Sequence, residues 1–125
     1  MTDSGRYRAL PVQMDATCAE TIETLFGPVS IPGAMVAEAR EYHGGELALV
    51  FEPSGTAWTL GNDVIAGLEL WLYGTKRVTF EAQGDFLAKP QRLSKMDLAD
   101  NAEIVFEGGR VAFGATHAVL RVQVI

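Results

Sequence analysis

The chain has 125 residues, the size of one ordinary domain, with 48% hydrophobic and 21% charged residues. These values exclude disordered, collagen-like and coiled-coil proteins. Ten Lys and Arg against sixteen Asp and Glu give a formal net charge of −6. Because phosphate neutralisation requires an excess of Lys and Arg, the balance argues against a whole-surface nucleic-acid binder.

Three features bear on compartment and processing. Cys18 is the single cysteine, so no disulfide can form within the chain. The first residues are polar and lead into no apolar run of signal-peptide length. The longest nearly apolar stretch, Val64 to Tyr73, is too short to span a bilayer. We therefore expect a soluble cytoplasmic protein that contacts no membrane and carries no cofactor.

The N-terminal third carries a helix signal. We expect residues 1–14 to be irregular. Thr17 and Glu20 have the spacing of a capping box, and the apolar residues that follow recur at i, i+3 and i+4. Gly27 followed by proline is a typical helix stop. The pattern predicts a first helix from Cys18 to Phe26.

A second element, Met35 to Tyr42, has two interpretations. Its larger residues follow helical spacing up to the Gly44–Gly45 pair, but Met35, Ala37 and Ala39 would also share one face of a strand. Ala and Glu dominate the segment and strand formers are few. The composition favours a helix.

From Gly45 onward the pattern is that of strands joined by short turns. Alternation predicts strands at Glu46–Glu52, Thr56–Leu60, Val64–Tyr73, Arg77–Gln83, Phe86–Ala88, Ala102–Glu107, Arg110–Phe113 and Ala118–Val124. Lys89 to Asn101 is predicted as the longest loop, with one helical turn near Ser94 to Ala99. Short connections imply antiparallel pairing, because a parallel crossover needs a dozen or more residues.

The predicted fold class is α+β and mainly β. We expect an antiparallel sandwich or small barrel of about six to eight short strands, preceded by one or two short helices. Residues 1–125 form a single domain in this prediction. Its N-terminal arm and helical part end at residue 44, and its antiparallel β part begins at residue 45.

Aromatic side chains provide the strongest binding signal. Trp71 and Tyr73 alternate outward from a strand whose other face is rich in leucine. An exposed sheet face is normally polar, so the pair indicates either a covering helix or an interface, where Trp and Tyr are enriched. Trp58 is a further candidate contact residue.

Basic residues cluster between Thr75 and Met96, although the rest of the chain is acidic. Lys89, Arg92 and Lys95 are the candidate binding residues of this segment, which can steer an anionic partner electrostatically. Ordinary solvation of a loop is the competing interpretation.

Residues capable of catalysis or metal binding are sparse. His43, Glu41 and Cys18 are candidate catalytic residues, and His43, His117 and Glu46 are candidate metal ligands. A surface histidine at a helix end and a buried structural cysteine are the simpler explanations of His43 and Cys18. No phosphate loop, Cys-x-x-Cys pair or EF-hand loop occurs.

Three functional hypotheses follow. The first is a non-enzymatic binding or adaptor module that contacts another protein or associates with itself. The second is a β-barrel that binds a small molecule or metal, and can be an enzyme, through His43, Glu41, Glu46 and His117. The third is an acidic inhibitor that mimics nucleic acid.

Overall fold

A computed structural model describes residues 6–13, 17–18, 20–82, 90–98 and 102–125. Within these ranges every regular element is a β-strand and no helix is present. The strands are β1 Arg6–Pro11, β2 Thr17–Cys18, β3 Thr21–Thr24, β4 Gly27–Ser30, β5 Ala34–Tyr42, β6 Glu46–Pro53, β7 Thr59–Leu60, β8 Asp63–Tyr73, β9 Lys76–Ala82, β10 Gln91–Asp97, β11 Ala102–Phe106, β12 Gly109–Gly114 and β13 His117–Val124.

The strands pair in one antiparallel path, in the order β1-β13-β8-β6-β5-β10-β11-β12-β9. Strand β10 joins the two halves of this path. Its first residues, Gln91 and Arg92, pair with β5. From Leu93 onward it pairs with β11, with a bulge between Leu93 and Lys95, and its last two residues also pair with β2. A bulge bends a strand, so β10 turns the sheet back over itself. Strands β3 and β4 form a separate hairpin.

One hydrophobic core lies between the inner faces of the two halves. Leu47, Leu49, Leu68, Leu70 and Leu72 come from the first half and are 0% exposed. The second half supplies Ile104, Val111 and their neighbours to the same cluster. The alternation of buried and open residues along β13 and from Leu68 to Tyr73 of β8 follows from the period of two in a strand.

The predicted first helix is wrong. Its residues form the end of β2, strand β3 and the β3–β4 turn. Ile22 and Thr24 are buried in alternation, which is strand periodicity. The Thr24 hydroxyl donates to the carbonyl of Gly27 and accepts the Phe26 N–H, which fixes a tight turn that competes with a helix. Leu25 and Phe26 then lie at the turn tip, 66% and 77% exposed.

The predicted second helix is also wrong, and the strand alternative applies. Strand β5 pairs along its length with β6. The pair is closed by the Gly44–Gly45 turn, where both glycines have positive φ, a conformation that other residues adopt at a cost. Cross-strand pairing thus overrides the helix propensity of Ala and Glu. The helical part assigned to residues 1–44 is absent from the described residues.

Other corrections concern segments that looked irregular. Strand β1 lies within the predicted irregular arm, and β10 lies within the predicted loop, including its expected helical turn. The prediction of antiparallel β structure after residue 45 is confirmed. The expected strand at Phe86–Ala88 lies outside the described residues. In the part of the chain that is described, no helix is long and apolar enough to cross a membrane.

Candidate functional site: an aromatic ladder on the outer sheet face

The outer face of the first half-sheet carries a row of aromatic rings. Strand register places Tyr73 of β8 opposite His117 of β13 on one side and opposite Glu46 of β6 on the other. Glu46 in turn pairs with Tyr42, the last residue of β5. Trp71 lies two residues before Tyr73 and shares its face. Four strands, β5, β6, β8 and β13, therefore meet at this row.

The four rings stack in sequence. Ring centroids are 5.3 Å apart for Tyr42 and Trp71, 6.4 Å for Trp71 and Tyr73, and 4.9 Å for Tyr73 and His117. The interplanar angles lie between 15° and 21°. Nearly parallel rings at about 5 Å overlap face to face with an offset, because rings side by side in one plane would collide. We call Tyr42, Trp71, Tyr73 and His117 the aromatic ladder.

The ladder covers the sheet beneath it. Ala48 of β6 lies opposite Trp71 and is 6% exposed, although it is on the outer face. A small residue at this position leaves room for the Tyr42 ring to reach across β6 to the indole. The ring stack acts as a partial second layer, although Tyr42 and His117 are exposed and Trp71 and Tyr73 are half-buried.

Charged residues hold the indole in place. The Trp71 Nε1–H donates to Glu69 Oε1 at 2.9 Å. The guanidinium of Arg121 lies 3.7 Å from the same carboxylate and 5.8 Å from the centre of the Trp71 ring, in cation–π range. On the far side of the ladder, Arg40 and Glu38 form an ion pair at 2.5 Å. The ladder thus has an edge of mixed charge.

The interior position of Trp58 argues against its predicted contact role. Its side chain is 4% exposed, and its Nε1–H donates to the carbonyl of Pro32 at 3.0 Å. The indole belongs to the core and does not reach the surface. Trp71 and Tyr73, in contrast, are half-buried on the outer face of the sheet, and the covering helix that was one of the two expected explanations is not found among the described residues.

Predicted basic contact residues are placed apart from the ladder. Arg92 and Lys95 are exposed on β10, and Lys95 lies 3.7 Å from Glu103. Lys89 lies outside the described residues. A neighbouring cluster on β9, β11 and β12 joins Arg110 to Glu81 and Glu103 by hydrogen bonds. Hydrogen bonding to Glu81, and then to Glu103, raises the pKa of Arg110 above its ordinary value.

The candidate catalytic and metal-ligating residues do not converge. Glu41 and His43 line a shallow depression at the β5–β6 turn with Thr75, whose hydroxyl oxygen is buried without a partner among the described residues. Glu46 and His117 lie on opposite sides of Tyr73. Two strand spacings of about 4.8 Å separate their backbones. No group of three His, Cys, Asp or Glu side chains positioned for a metal occurs in the described ranges.

Cys18 is placed only by its backbone, which pairs with Met96 of β10. Its side chain lies outside what the structure describes. Cys18 does not begin a helix, as the sequence predicted, because Thr17 and Cys18 form strand β2.

Tyr42 and Arg121 were missed by sequence reasoning, and His117 was assigned to a different site. Tyr42 was placed on a helix, which hid its position at the end of a strand. His117 and Arg121 alternate with buried residues of β13, a visible signal for one shared outer face. The sequence alone does not show that β13 pairs with β8, because Tyr73 and His117 are 44 positions apart along the chain.

Comparison with known proteins gives no relative from which a site could be transferred. No family model, no curated protein and no solved structure matches the chain.

Proposed function

We propose that the chain is a non-enzymatic binding module that contacts another protein, or a second copy of itself, through the aromatic ladder. The observation that carries the proposal is a sheet face that no described helix or sheet covers, on which Trp, two Tyr and His stack, with Arg at the edge. Trp, Tyr and Arg dominate the binding energy of protein interfaces, and a charged rim around an aromatic centre is the usual arrangement.

Ring orientation favours protein over sugar as the ligand class. A sugar binds by stacking on the open face of an aromatic ring, but each ring of the ladder lies nearly parallel to the next at 4.9–6.4 Å, so neighbouring rings partly cover each other's faces. The surface therefore offers ring edges, hydroxyl groups and the charges of Arg40, Glu69 and Arg121. Such a mixed surface suits the side chains of a protein partner, which supply carboxylates, amides and apolar groups at similar spacing.

The proposal is tested by using the whole chain as bait with two variants. Trp71→Ala with Tyr73→Ala removes the centre of the ladder. Phe26→Ala removes a more exposed aromatic ring from the β3–β4 turn, away from the ladder. A protein captured from host extract by wild type and the Phe26 variant, but not by the ladder variant, is then purified. We expect its affinity, measured by calorimetry, to fall at least about 10-fold in the ladder variant.

Other outcomes contradict the proposal. Equal capture by all three baits would place the contact elsewhere on the chain. Ladder-dependent binding to a panel of soluble glycans would replace protein by carbohydrate. A wild-type chain that captures nothing and stays monomeric would leave the ladder as a purely structural stack.

The metal-site and nucleic-acid-mimic hypotheses stay predictions. The described residues bring together no set of metal ligands that would support a metal site. The ladder face is not uniformly acidic, as a mimic of nucleic acid would require, because Arg40 and Arg121 lie beside its glutamates.

A further inference from the structure

We infer that the partner seated on the ladder is a second copy of this chain, packed face to face about a two-fold axis. The inference rests on the proposed function and names the occupant of the same surface. Three features of this surface support a second copy as the partner: the charges that flank the ladder, the self-complementarity that a two-fold axis requires, and the size of the face.

The first step is the charge of this face. The chain as a whole carries −6, so two copies repel each other over most of their surface. The ladder is flanked by two arginines and three glutamates, which nearly cancel; they are Arg40, Arg121, Glu38, Glu46 and Glu69. This face therefore meets a copy of itself with little net repulsion.

The second step is self-complementarity. In a two-fold interface each residue off the axis meets a different residue of the partner, so the same patch must supply both members of every pair. A face with arginine and glutamate on it can do so, whereas a uniformly acidic face cannot. The pairs Arg40–Glu38 and Arg121–Glu69 are solvent-exposed, and such pairs are worth about 0–1 kcal/mol, so they exchange partners at small cost.

The third step is the size of the face. The face is five strands wide (β1, β13, β8, β6 and β5) and about six residues long. With about 4.8 Å between strands and about 3.3 Å per residue, its footprint is roughly 24 Å by 20 Å. A standard stable interface buries about 800 Å² on each partner. The ladder face alone falls below that area, so we expect a weak, reversible dimer and not an obligate one.

Sedimentation velocity of the purified full-length chain over a range of concentrations measures this association. We expect wild type to shift from monomer to dimer as its concentration rises. Trp71→Ala should weaken the dimer by at least about 10-fold, since each substitution occurs twice in a two-fold interface. Phe26→Ala, which removes an aromatic ring outside the face, should dimerise as wild type does.

A charge exchange keeps the test decisive if the Trp71 variant folds poorly. Arg40→Glu with Arg121→Glu makes the flanking charges entirely acidic, and Glu38→Lys with Glu46→Lys makes them mainly basic. Both variants retain all four rings. We expect each to be more monomeric than wild type, and an equal mixture of the two to form a heterodimer at least as tight as the wild-type dimer.

Two results would overturn the inference. One is a wild type that remains monomeric at every concentration. In that case ladder-dependent capture of a different protein would still support the proposed function, so the two failures are distinguishable. The other is a dimer that persists in the Trp71 and charge variants, which would place the dimer contact on another surface.

Discussion

Tyr73 on β8 and His117 on β13 lie directly opposite each other in the antiparallel register, and their rings stack with centroids 4.9 Å apart. The ring separation matches the spacing between neighbouring strands. Stacking therefore follows from the register itself and requires no distortion of either strand. The His117 Nδ1 also lies 3.1 Å from the Thr116 hydroxyl, which donates to the Tyr73 carbonyl at 3.1 Å in this arrangement.

The Tyr73–His117 stack should contribute a measurable coupling to stability. We expect a double-mutant cycle of Tyr73→Ala and His117→Ala, followed by urea unfolding, to give about 0.5–1.5 kcal/mol. The matched control pairs Tyr73→Ala with Phe26→Ala, whose ring lies on another part of the surface, and should give a coupling near zero. Two couplings of equal size would mean that the stack adds nothing.

The two tryptophans should respond differently to substitution. Trp58→Phe removes a buried hydrogen bond to Pro32, and we expect a loss of about 1–3 kcal/mol in the free energy of unfolding. The emission that remains comes from half-buried Trp71 and should be red-shifted and readily quenched by acrylamide. Trp71→Phe is the control and should leave a blue-shifted, protected emission. Equal quenching in the two variants would contradict the positions described.

Gly74→Ala should destabilise the end of the ladder. Gly74 has φ of +64°, and a Cβ added there would lie 2.4 Å from the Thr116 hydroxyl oxygen. Backbone strain and collision act together, so we expect a loss of more than about 1 kcal/mol in urea unfolding. Adding Thr116→Ala should restore part of the loss, because it removes the collision but not the strain. A neutral Gly74→Ala variant would contradict the turn geometry.

The exposed turn tip offers a direct test of the β3–β4 hairpin. We expect Leu25→Ser with Phe26→Ser to change the free energy of unfolding by no more than about 0.5 kcal/mol, since both side chains are largely in water. Ile22→Ala is the control, because Ile22 is 1% exposed and its truncation should cost about 2–5 kcal/mol. A helix with Leu25 and Phe26 packed inward would give large losses in both variants.

Arg110 should stabilise the fold uniformly across neutral and alkaline pH. Its pKa is raised by Glu81 first and Glu103 second, so the protonated form favours the folded state. A raised folded-state pKa gives a contribution that is complete below the unfolded-state pKa and lost only as the pH rises through the folded-state pKa. That loss lies above the range of ordinary measurements, because arginine titrates beyond about pH 12.

We therefore expect Arg110→Met to lower the free energy of unfolding by the same amount from about pH 7 to about pH 10. This loss of free energy of unfolding should be smaller in high salt, because salt screens the repulsion between Glu81 and Glu103 once their shared cation is removed. Arg92→Met is the control: no side-chain ion pair is described for Arg92, so its effect should be small. A deficit that disappears within this pH range would show that another group carries it.

Strand β8 was predictable because the information is local. Leu68, Leu70 and Leu72 alternate with polar and aromatic residues, and that alternation assigns each residue to a face without knowledge of its partners. All three leucines are 0% exposed. The prediction fails at one end, where Ile65 is buried and Ala66 is exposed, because the register shifts beside Gln123 on β13. The shift depends on the partner strand, which sequence alone does not reveal.

The ladder was only half predictable for the same reason. Trp71 and Tyr73 were placed outward by alternation, but their stacking partners come from β5 and β13. Tyr42 was assigned to a helix because Ala and Glu in β5 have helix propensity, a weak preference that pairing with β6 overrides. Nothing in the local sequence shows that β13 pairs with β8. The sequence therefore predicted some of the residues of the site, but not the strand pairing that brings them together.

The position of β13 has a consequence for how the domain is made. Among the described strands it comes last in sequence, yet it lies between β1 and β8 and carries fully buried Leu120 and Val122. During synthesis the leucines of β8 have no neighbour on that side until β13 has left the ribosome. Folding of this half must then wait for the synthesis of β13. Chaperones would meet an exposed leucine-rich strand, and any nonsense mutation before His117 would yield a chain that cannot close its sheet.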